Sequence, residues 1–373
     1  MSAVPEAGGR LRLTVVIPNY NHAAILPRAI ASVLAQSGPE TEILVVDDGS
    51  KDDSVELITE LASRHPTIRL IRHAANAGAP TALNTGLEAA RGDYISFLGA
   101  DDVALAGLYD TMIDALETHP AAPLACGEIV TFDAGDRLHG LRPIMPPARE
   151  ARYFSPDDVM RHVRGSDNWI CNTVTVYRTP EIRKTGGFDP ALGAFCDGFL
   201  VRQLAFAQGF CFVPGIFGGW QVAADTLSAT SMLRPEENRR LTSLLTTRLR
   251  ESAVGRQDPD YPALYRRRWQ FSTARLRLVW KQAQCEPAEL VEAVDGNDLD
   301  RRVLSGIHKT IGFSKAGRLG AMAWLTLRMR PFPLRLVAMH AVRNRLLLRR
   351  NSARIKAQLG TLKAAGARLT GGG

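Results

Sequence analysis

The sequence has no acidic residue after Asp300. Residues 301–373 contain 16 lysine and arginine side chains and no aspartate or glutamate. The first 300 residues contain 30 basic and 38 acidic side chains, so the overall charge of +8 conceals a net charge of −8 before residue 301 and +16 after it. This asymmetry indicates two functional parts, and the basic part is expected to face something anionic.

Disulfide frameworks, metal-binding cysteine pairs and long apolar runs are also absent. The five cysteines are an odd number without CxxC spacing, which favours reduced thiols in a cytosolic protein. The N-terminal "MSAVPEAGGRLRL" has no apolar signal core, and no uncharged run is long enough to span a bilayer. We therefore expect a cytoplasmic protein, peripheral at most on the inner face of the cell membrane. Few aromatics interleave with the basic residues, so we expect no nucleic-acid partner.

The first half of the sequence alternates strand-like apolar runs with segments of helical spacing. The predicted strands cover residues 13–18, 42–48, 67–73, 93–99 and 124–132. The predicted helices cover 23–36, about 80–91 and about 105–118, and a further helix is opened by "DGSKDD" and runs to about Arg64. Continuous apolar strands between helices are typical of a parallel sheet covered on both faces. This pattern predicts an α/β fold.

The later segments are less regular. We expect a long loop over 134–166, a strand over 172–179, a helix that begins near Asp197, and mainly helices after about residue 235. The predicted organisation is a disordered N-terminus over 1–10, an α/β domain over 11–235, and a helical extension over 236–373.

Adjacent aspartates end two of the predicted strands. Asp47 and Asp48 close "EILVVDD", and Asp101 and Asp102 close "YISFLGADD". Ligands of parallel sheets bind beyond the carboxyl ends of the strands. There a carboxylate can accept a hydrogen bond from a nucleotide base, or hold Mg²⁺ or Mn²⁺ together with diphosphate oxygens. Helix capping is the alternative at both sites.

A third acidic residue, Asp197, follows "GAFC". One interpretation is a general base that takes a proton from an attacking hydroxyl group. The other is an acidic residue that simply favours the first turn of a helix. Spacing alone favours the second interpretation.

Taken together, four stretches resemble the family 2 glycosyltransferases with the GT-A fold, which is Rossmann-like. They are "VVIPNYNHAAILPRAIASVLAQ", "EILVVDDGSKDDS", "NAGAPTALNTGLEAARGDYISFLGADD" and "GGFDPALGAFCDGFLVRQLAFAQG". They occur in the family's order and spacing over about residues 13–230. The resemblance implies direct displacement at the anomeric carbon of a nucleotide sugar, with inversion.

The resemblance also implies roles for individual residues. Pro18 and Tyr20 would flank the nucleotide base, Asp48 would bond it, and Asp47 would support the same loop. Asn21 and Asn84 would complete the nucleotide-sugar site.

Three further acidic residues would bind the metal and remove the proton. By resemblance Asp101 would ligate Mn²⁺ or Mg²⁺ and contact the donor, and Asp197 would be the catalytic base. Asp102 would ligate the metal weakly or cap the next helix. One departure from the family pattern lies in the metal motif, where Gly99 occupies the position of the usual first acid.

These observations predict an inverting hexosyl- or deoxyhexosyltransferase that uses a nucleoside-diphosphate sugar. The expected acceptor is a hydroxyl of a glycan or lipid-linked acceptor in cell-surface polysaccharide synthesis. Two alternatives remain: a non-catalytic GT-A scaffold that binds nucleotide or glycan, which Gly99 favours, and a nucleotidyltransferase. Release of diphosphate rather than nucleoside diphosphate would identify the nucleotidyltransferase.

The basic tail has a partly amphipathic stretch, "LRLVAMHAVRNRLLLRR". On a helical wheel its arginines fall mostly on one side, and Leu336, Val337, Ala341, Leu347 and Leu348 fall on the other. Val342 and Leu346 break this sorting because they lie among the arginines. A helix on an anionic membrane surface fits the pattern, and so does a helix packed on the α/β domain.

Overall fold

A computed structural model describes residues 11–167, 169–222, 231, 233–280 and 285–371. The predicted disordered segment 1–10 lies outside the described residues. The chain forms two compact units: the first takes in the described parts of Met1–Val159, Asn168–Val222 and Ala341–Gly373, and the second those of Met160–Asp167 and Ala223–His340. The predicted extension over 236–373 is therefore divided between the two units at residue 341.

The strands of the described residues lie in the first unit and form one sheet of ten strands. Their bounds are β1 Leu13–Asn19, β2 Thr41–Asp47, β3 Ile68–Arg72, β4 Tyr94–Phe97, β5 Val103–Ala104, β6 Leu124–Phe132, β7 Leu138–Arg142, β8 Arg152–Phe154, β9 Thr175–Arg178 and β10 Phe210–Gln221. They lie in the order β3-β2-β1-β4-β9-β6-β10-β5, with β7 beside β6 and β8 beside β10.

Fourteen helices are found in the described residues, besides the 3₁₀ segments Asn172–Val174 and Pro190–Phe195. They are α1 Leu26–Leu34, α2 Ser54–Arg64, α3 Ala79–Ala89, α4 Leu108–Thr118, α5 Pro156–Gly165, α6 Thr179–Lys184, α7 Cys196–Gln208, α8 Pro235–Glu251, α9 Ala253–Gln257, α10 Tyr261–Trp280, α11 Pro287–Ala293, α12 Asp298–Ile311, α13 Lys315–Met329 and α14 Leu334–Leu369. None of these helices is both long enough and apolar enough to cross a membrane.

The parallel part of the sheet forms from the continuous apolar runs. β1 lies between β2 and β4, and β2 pairs with β3, all in parallel. The successive residues Val15 and Val16 point to opposite faces and are both fully buried, as are Ile43 and Leu44. The predicted α/β fold with a mainly parallel central sheet and a helical C-terminal part is confirmed.

The segment 134–166 is not the long loop that the sequence predicts. It contains β7, β8 and α5, and the two strands pair antiparallel with β6 and β10. Strands of five and three residues are too short to show a periodic pattern, and their neighbours in the sheet decide their conformation.

β10 is a strand that the sequence analysis missed, because "FCFVPGIFGGWQ" contains one proline and three glycines. It pairs in parallel with β6 across two irregularities in register. A Cβ atom at Gly218 would lie 2.5 Å from Val174 Cγ1, and one at Gly219 would lie 2.8 Å from Phe132 Cε1. The two glycines therefore permit an approach that larger residues would block.

The last part of α14 belongs to the first unit. Its buried residues Ile355, Leu359 and Leu362 form a core with Val130 and Phe132 of β6. These three residues lie on one face of the helix, and the burial of that face accounts for their helical spacing.

The second unit has its own helical core, to which α10, α11, α12 and α13 contribute. Asn297 caps α12 in a reciprocal capping box with Asp300, and the indole Nε1 of Trp324 donates to Asp300 Oδ1 at 3.0 Å. Asp300, the last acidic residue of the chain, is therefore a buried structural residue, 1% exposed.

Candidate active site

The ends of β1 and β2 carry a hydrogen-bonded group of polar side chains. Asn19 lies beside Asp47 in register, and its Nδ2 donates to Asp47 Oδ2 at 2.9 Å. The backbone N–H of Ser50 donates to Asp47 Oδ1 at 3.0 Å. Because Asp47 is fully buried, its carboxylate fixes the turn after β2.

The neighbouring Asp48 holds a second loop. Its Oδ1 accepts from the Ala77 N–H at 2.9 Å and lies 2.7 Å from His73 Nδ1, and its Oδ2 accepts from the Gly78 N–H at 2.8 Å. A carboxylate oxygen has two lone pairs, so Oδ2 keeps one acceptor site beyond its contact with Gly78. The predicted bond from a nucleotide base to Asp48 stays a prediction.

The turn after β1 presents an aromatic ring beside this group. Pro18 is half-buried on β1, and the next turn residue, Tyr20, is 39% exposed. Asn21 adopts a left-handed conformation with φ of 56°, and its Oδ1 accepts from the Lys51 N–H at 2.8 Å. Asn21 therefore ties the turns after β1 and β2 together, which holds the exposed ring of Tyr20 at the sheet edge.

The second acid pair packs closely against Gly99. A Cβ atom placed on Gly99 would lie 2.9 Å from Asp101 Oδ1 and 3.1 Å from Asp102 Oδ2. The two carboxylates thus come together beside Gly99, just beyond β4, where a larger side chain would collide with Asp101. Convergence of like charges is costly unless a proton or a cation is shared there.

Asp102 does not cap the next helix. Its Oδ2 accepts from Thr173 Oγ1 at 2.8 Å and its Oδ1 accepts from the Gln221 N–H at 3.1 Å. Helix α4 begins after Gly107, without a side-chain cap. Burial, followed by the charge of Asp101, raises the pKa of Asp102 well above its ordinary value, and the two hydrogen bonds oppose that rise.

Asp197 lies in the first turn of α7. Burial raises the pKa of its carboxyl group, while the hydrogen bond from the Gly198 N–H at 2.6 Å and the charge of Arg202 act in the opposite direction. A raised pKa makes a carboxylate a stronger base, which is the property that proton removal from a hydroxyl requires.

The buried thiol of Cys171 is affected by both acidic sites. Burial raises the pKa of Cys171 to about 12; Arg142 lowers this pKa, and Asp197 and Asp102 are among the carboxylates that raise it. Asp102 also accepts from Thr173, two residues after Cys171. Both carboxylates therefore act on the same buried residue although they are distant in the sequence.

Asn84 has a different surrounding. Its Oδ1 accepts from the Phe188 N–H and its Nδ2 donates to the Phe188 carbonyl, both at 2.8 Å. Both ends of the amide thus hold the "GGFDP" segment against α3. A direct contact between Asn84 and the nucleotide stays a prediction.

The residues present fit a divalent cation of the kind that the resemblance implies. Asp101 and Asp102 offer hard oxygen ligands beside Gly99. The described residues contain no group of three or more His, Cys, Asp or Glu placed to hold a metal. Two carboxylates fill only part of the coordination shell of such a cation, and diphosphate oxygens are ligands of the same kind.

Several neighbours of the site were not identified from the sequence. Thr173 and the Gln221 backbone hold Asp102, His73 contacts Asp48, and Arg142 lies near Cys171. None of these residues belongs to a recognisable motif. Only their positions in the sheet bring them to the site.

Comparison with known proteins agrees with this geometry. Residues 14–173 match the model of the family "Glycosyl transferase family 2". Over 102 residues the chain is 39% identical to the uncharacterized glycosyltransferase YibD of Escherichia coli. These matched residues make up 27% of this chain and 29% of that protein. Over 139 residues it is 34% identical to the uncharacterized glycosyltransferase EpsJ of Bacillus subtilis, and this match makes up 37% of this chain and 38% of that protein. The match thus spans only about a third of these relatives.

Two solved structures share the fold over most of the chain. Residues 1–349 of TarS from S. aureus superpose with a TM-score of 0.56 at 15% identity, over 84% of this chain and 91% of that one. The mannosyltransferase PcManGT from Pyrobaculum calidifontis, in complex with GDP-Man and Mn²⁺, gives 0.52 at 19% identity, over 88% of each chain. Residues 14–173 of the present chain therefore match the family 2 glycosyltransferases, and the chain shares the GT-A fold of these two structures.

Proposed function

We propose that the chain is an inverting glycosyltransferase that uses a nucleoside-diphosphate sugar. In this proposal it transfers a hexosyl or deoxyhexosyl group to a hydroxyl of a glycan or lipid-linked acceptor in cell-surface polysaccharide synthesis. The observation that carries the proposal is the match of residues 14–173 to the family, together with acid pairs at the carboxyl ends of the parallel strands β2 and β4.

Asp197 would act as the base. Its raised pKa lets it hold the proton of the acceptor hydroxyl while that oxygen attacks the anomeric carbon. The bond from the anomeric carbon to the diphosphate oxygen breaks as the new bond forms on the opposite face, which inverts the configuration.

The donor would bind at the ends of β1 and β2. Tyr20 offers an exposed ring for the base, Asp48 would accept a hydrogen bond from the base, and Asp47 and Asn21 hold the two turns. Asp101 and Asp102 would hold Mn²⁺ or Mg²⁺ beside the diphosphate. A bound divalent cation supplies neutralisation of the charge that develops on the leaving diphosphate.

The experiment that tests the proposal is a thermal-shift screen with UDP-, GDP- and dTDP-sugars in the presence of Mn²⁺, followed by product analysis with the best donor. We expect one donor class to raise Tm and to yield nucleoside diphosphate. If a donor binds and neither transfer nor hydrolysis occurs with any acceptor, the scaffold alternative replaces the enzyme, since Gly99 already removes one metal-motif acid.

Peripheral attachment to an anionic membrane is a further part of the proposal, and α14 supports it. Leu347 and Leu348 pack partly buried against the core of the first unit, so this part of the apolar side of the predicted wheel faces protein. By contrast, Val342 is 61% exposed and Leu346 58% exposed. The two residues that broke the pattern of the wheel are thus exposed and could contact a bilayer.

Basic residues surround these exposed side chains. Arg345, Arg349 and Arg350 are exposed, and no ion pair involves them in the described residues. We call Val342, Leu346 and these three arginines the α14 outer face. Arg343, by contrast, pairs with Glu128 of the sheet at 2.6 Å. One arginine therefore packs on the domain, and the outer face remains suited to an anionic lipid surface.

A further inference from the structure

The second unit contains a cavity that the proposed reaction does not use. Its volume is about 450 Å³, within the range of small-molecule sites. The lining includes four arginines and no acidic residue: Arg164, Arg267, Arg268 and Arg330. The cavity therefore has the charge of an anion-binding site.

One of these arginines, Arg268, is a buried part of the cavity wall. Arg268 is 3% exposed, and its Nε donates to the Pro331 carbonyl at 2.8 Å and its Nη2 to the Arg164 carbonyl at 2.8 Å. It also pairs with Asp167 at 3.1 Å. Arg268 thus joins the end of α5 to the segment after α13, and its own charge is neutralised.

The other arginines differ in how much charge they leave for a ligand. Arg164 pairs with Asp258 at 2.8 Å. Arg267 and Arg330 are exposed at the cavity, and within the described residues no acidic partner is found for either of them. Arg330 ends α13 with φ of 44°, a conformation that favours glycine. Arg330 thus adopts a backbone conformation that is unfavourable for a non-glycine residue, and it lines the cavity.

The rest of the lining is apolar. Leu264, Leu327, Pro331, Phe332 and Pro333 line the cavity with Thr326. Leu327 is 64% exposed, so apolar surface continues from the cavity to the outer surface of α13. A small inorganic anion would leave this surface without a partner, whereas a phosphate attached to an apolar chain would cover it.

We propose that this cavity binds a lipid phosphate, with the phosphate held by Arg267 and Arg330 and the first carbons of the chain against Leu327 and Phe332. Arginine suits this task because its planar donors match phosphate oxygens in pairs. Apart from Arg164, the lining lies outside residues 14–173 that match the family, and neither Arg267 nor Arg330 takes part in the proposed reaction, so the inference stands whether or not the proposed transferase activity is confirmed.

The test is calorimetric titration of the full-length chain with dihexanoyl phosphatidic acid, kept below its micelle concentration. We expect saturable binding, and at least about a tenfold loss of affinity in the Arg267→Gln/Arg330→Gly variant. Glycine relieves the backbone at position 330, so this variant is expected to fold. Leu327→Gln should also weaken binding of the lipid phosphate, and thermal unfolding should confirm that each variant is folded.

Matched controls test whether binding depends on these two arginines and on the lipid phosphate, rather than on the overall positive charge, the phosphate alone or the lipid chains alone. Arg302→Gln removes the same charge from an exposed position of α12 and should change the affinity less than twofold. Inorganic phosphate and dihexanoyl phosphatidylcholine should each bind at least about tenfold more weakly than the lipid phosphate. Equal binding of inorganic phosphate, equal binding of the neutral lipid, an equal loss in Arg302→Gln, or no binding to the unmodified chain would overturn the assignment.

Discussion

The two aspartates after β4 illustrate how adjacent residues of one type take different roles. Asp102 accepts hydrogen bonds from Thr173 and the Gln221 backbone, and Asp101 lies close to Gly99. The two hydrogen bonds hold the carboxylate of Asp102 in place. Following the resemblance to the family, we propose that Asp101 makes the main metal contact.

This assignment predicts unequal effects of two conservative changes. Asp101→Asn should abolish Mn²⁺-dependent binding of the donor, because a neutral amide is a weak ligand for a hard cation. Asp102→Asn should retain most of the binding, since the amide oxygen can still accept one of the two hydrogen bonds. Calorimetric titration with and without Mn²⁺ measures both. Equal losses in the two variants, or no loss in either, would contradict the assignment.

Asp197→Asn tests the base. We expect normal donor affinity and a turnover lower by about 10²–10⁴-fold, the usual contribution of a general base. Steady-state kinetics with the donor found by screening, together with a direct binding titration, separate the two effects. Turnover close to that of the unmodified protein would show that another group takes the proton.

The raised pKa of Asp197 also predicts a pH dependence of stability. Because the folded state disfavours the ionised carboxylate, the unmodified protein loses stability as pH rises from the ordinary aspartate pKa of about 4 through the raised pKa, and this cost persists at higher pH. Asp197→Asn lacks this titration. The variant's Tm should therefore rise relative to the unmodified protein over that window. A Tm difference that is independent of pH would argue against the raised pKa.

At the scale of elements, a buried ion pair joins α14 to the sheet. Both Nη atoms of Arg343 donate to Glu128, at 2.6 and 2.7 Å, and the Glu128 side chain is completely buried. Taking two charges out of water is expensive, so the pair's net contribution to stability is small. Removal of only one partner is strongly destabilising, because the charge of the other partner then stays buried without a pair.

Arg343→Gln should therefore lower the free energy of unfolding by about 3 kcal/mol, the low end for breaking a buried pair, since Arg343 is itself 28% exposed. Urea unfolding measures the change. Arg345→Gln, a change of the same kind at an exposed position of the same helix, should cost less than about 0.5 kcal/mol. The Glu128→Gln/Arg343→Gln variant should be more stable than Arg343→Gln alone, and a further loss of stability would refute the account.

At the scale of the whole molecule, the basic tail serves two purposes. Its buried residues are part of both cores: Leu304 and Leu325 belong to the second unit and Ile355 and Leu359 to the first. Removing residues 301–373 would therefore damage packing, so a test of membrane attachment needs point substitutions on exposed residues.

The α14 outer face predicts salt-sensitive membrane binding. The full-length chain should sediment with phosphatidylcholine vesicles that contain phosphatidylglycerol, and much less at about 0.5 M salt, where the Debye length is about 4 Å. Val342→Ser/Leu346→Ser should lose most of the binding. Val279→Ser, a change at an apolar side chain that is 49% exposed on α10, should not. If the unmodified chain ignores these vesicles at low salt, the outer face has another role.

The sequence by itself determined the parallel sheet and the placement of its acids. Runs such as "LTVVIP" and "EILVV" are buried on both faces, and their apolar pattern is local, so it can be read from consecutive residues. Asp47 ends β2, and Asp101 follows the end of β4 by four residues. Their position at the ligand edge of the sheet was therefore predictable from the chain order alone.

The tertiary structure alone decided the rest. The partners of Asp102 lie 71 and 119 residues away, and Glu128 meets Arg343 across 215 residues. The strand β10 forms against its neighbours despite a proline and three glycines. Contacts between distant segments leave no periodic trace in either segment, and the side of α14 that is buried depends on the surface it meets. For this reason the wheel of the tail identified an amphipathic helix, and only the fold showed which side faces protein.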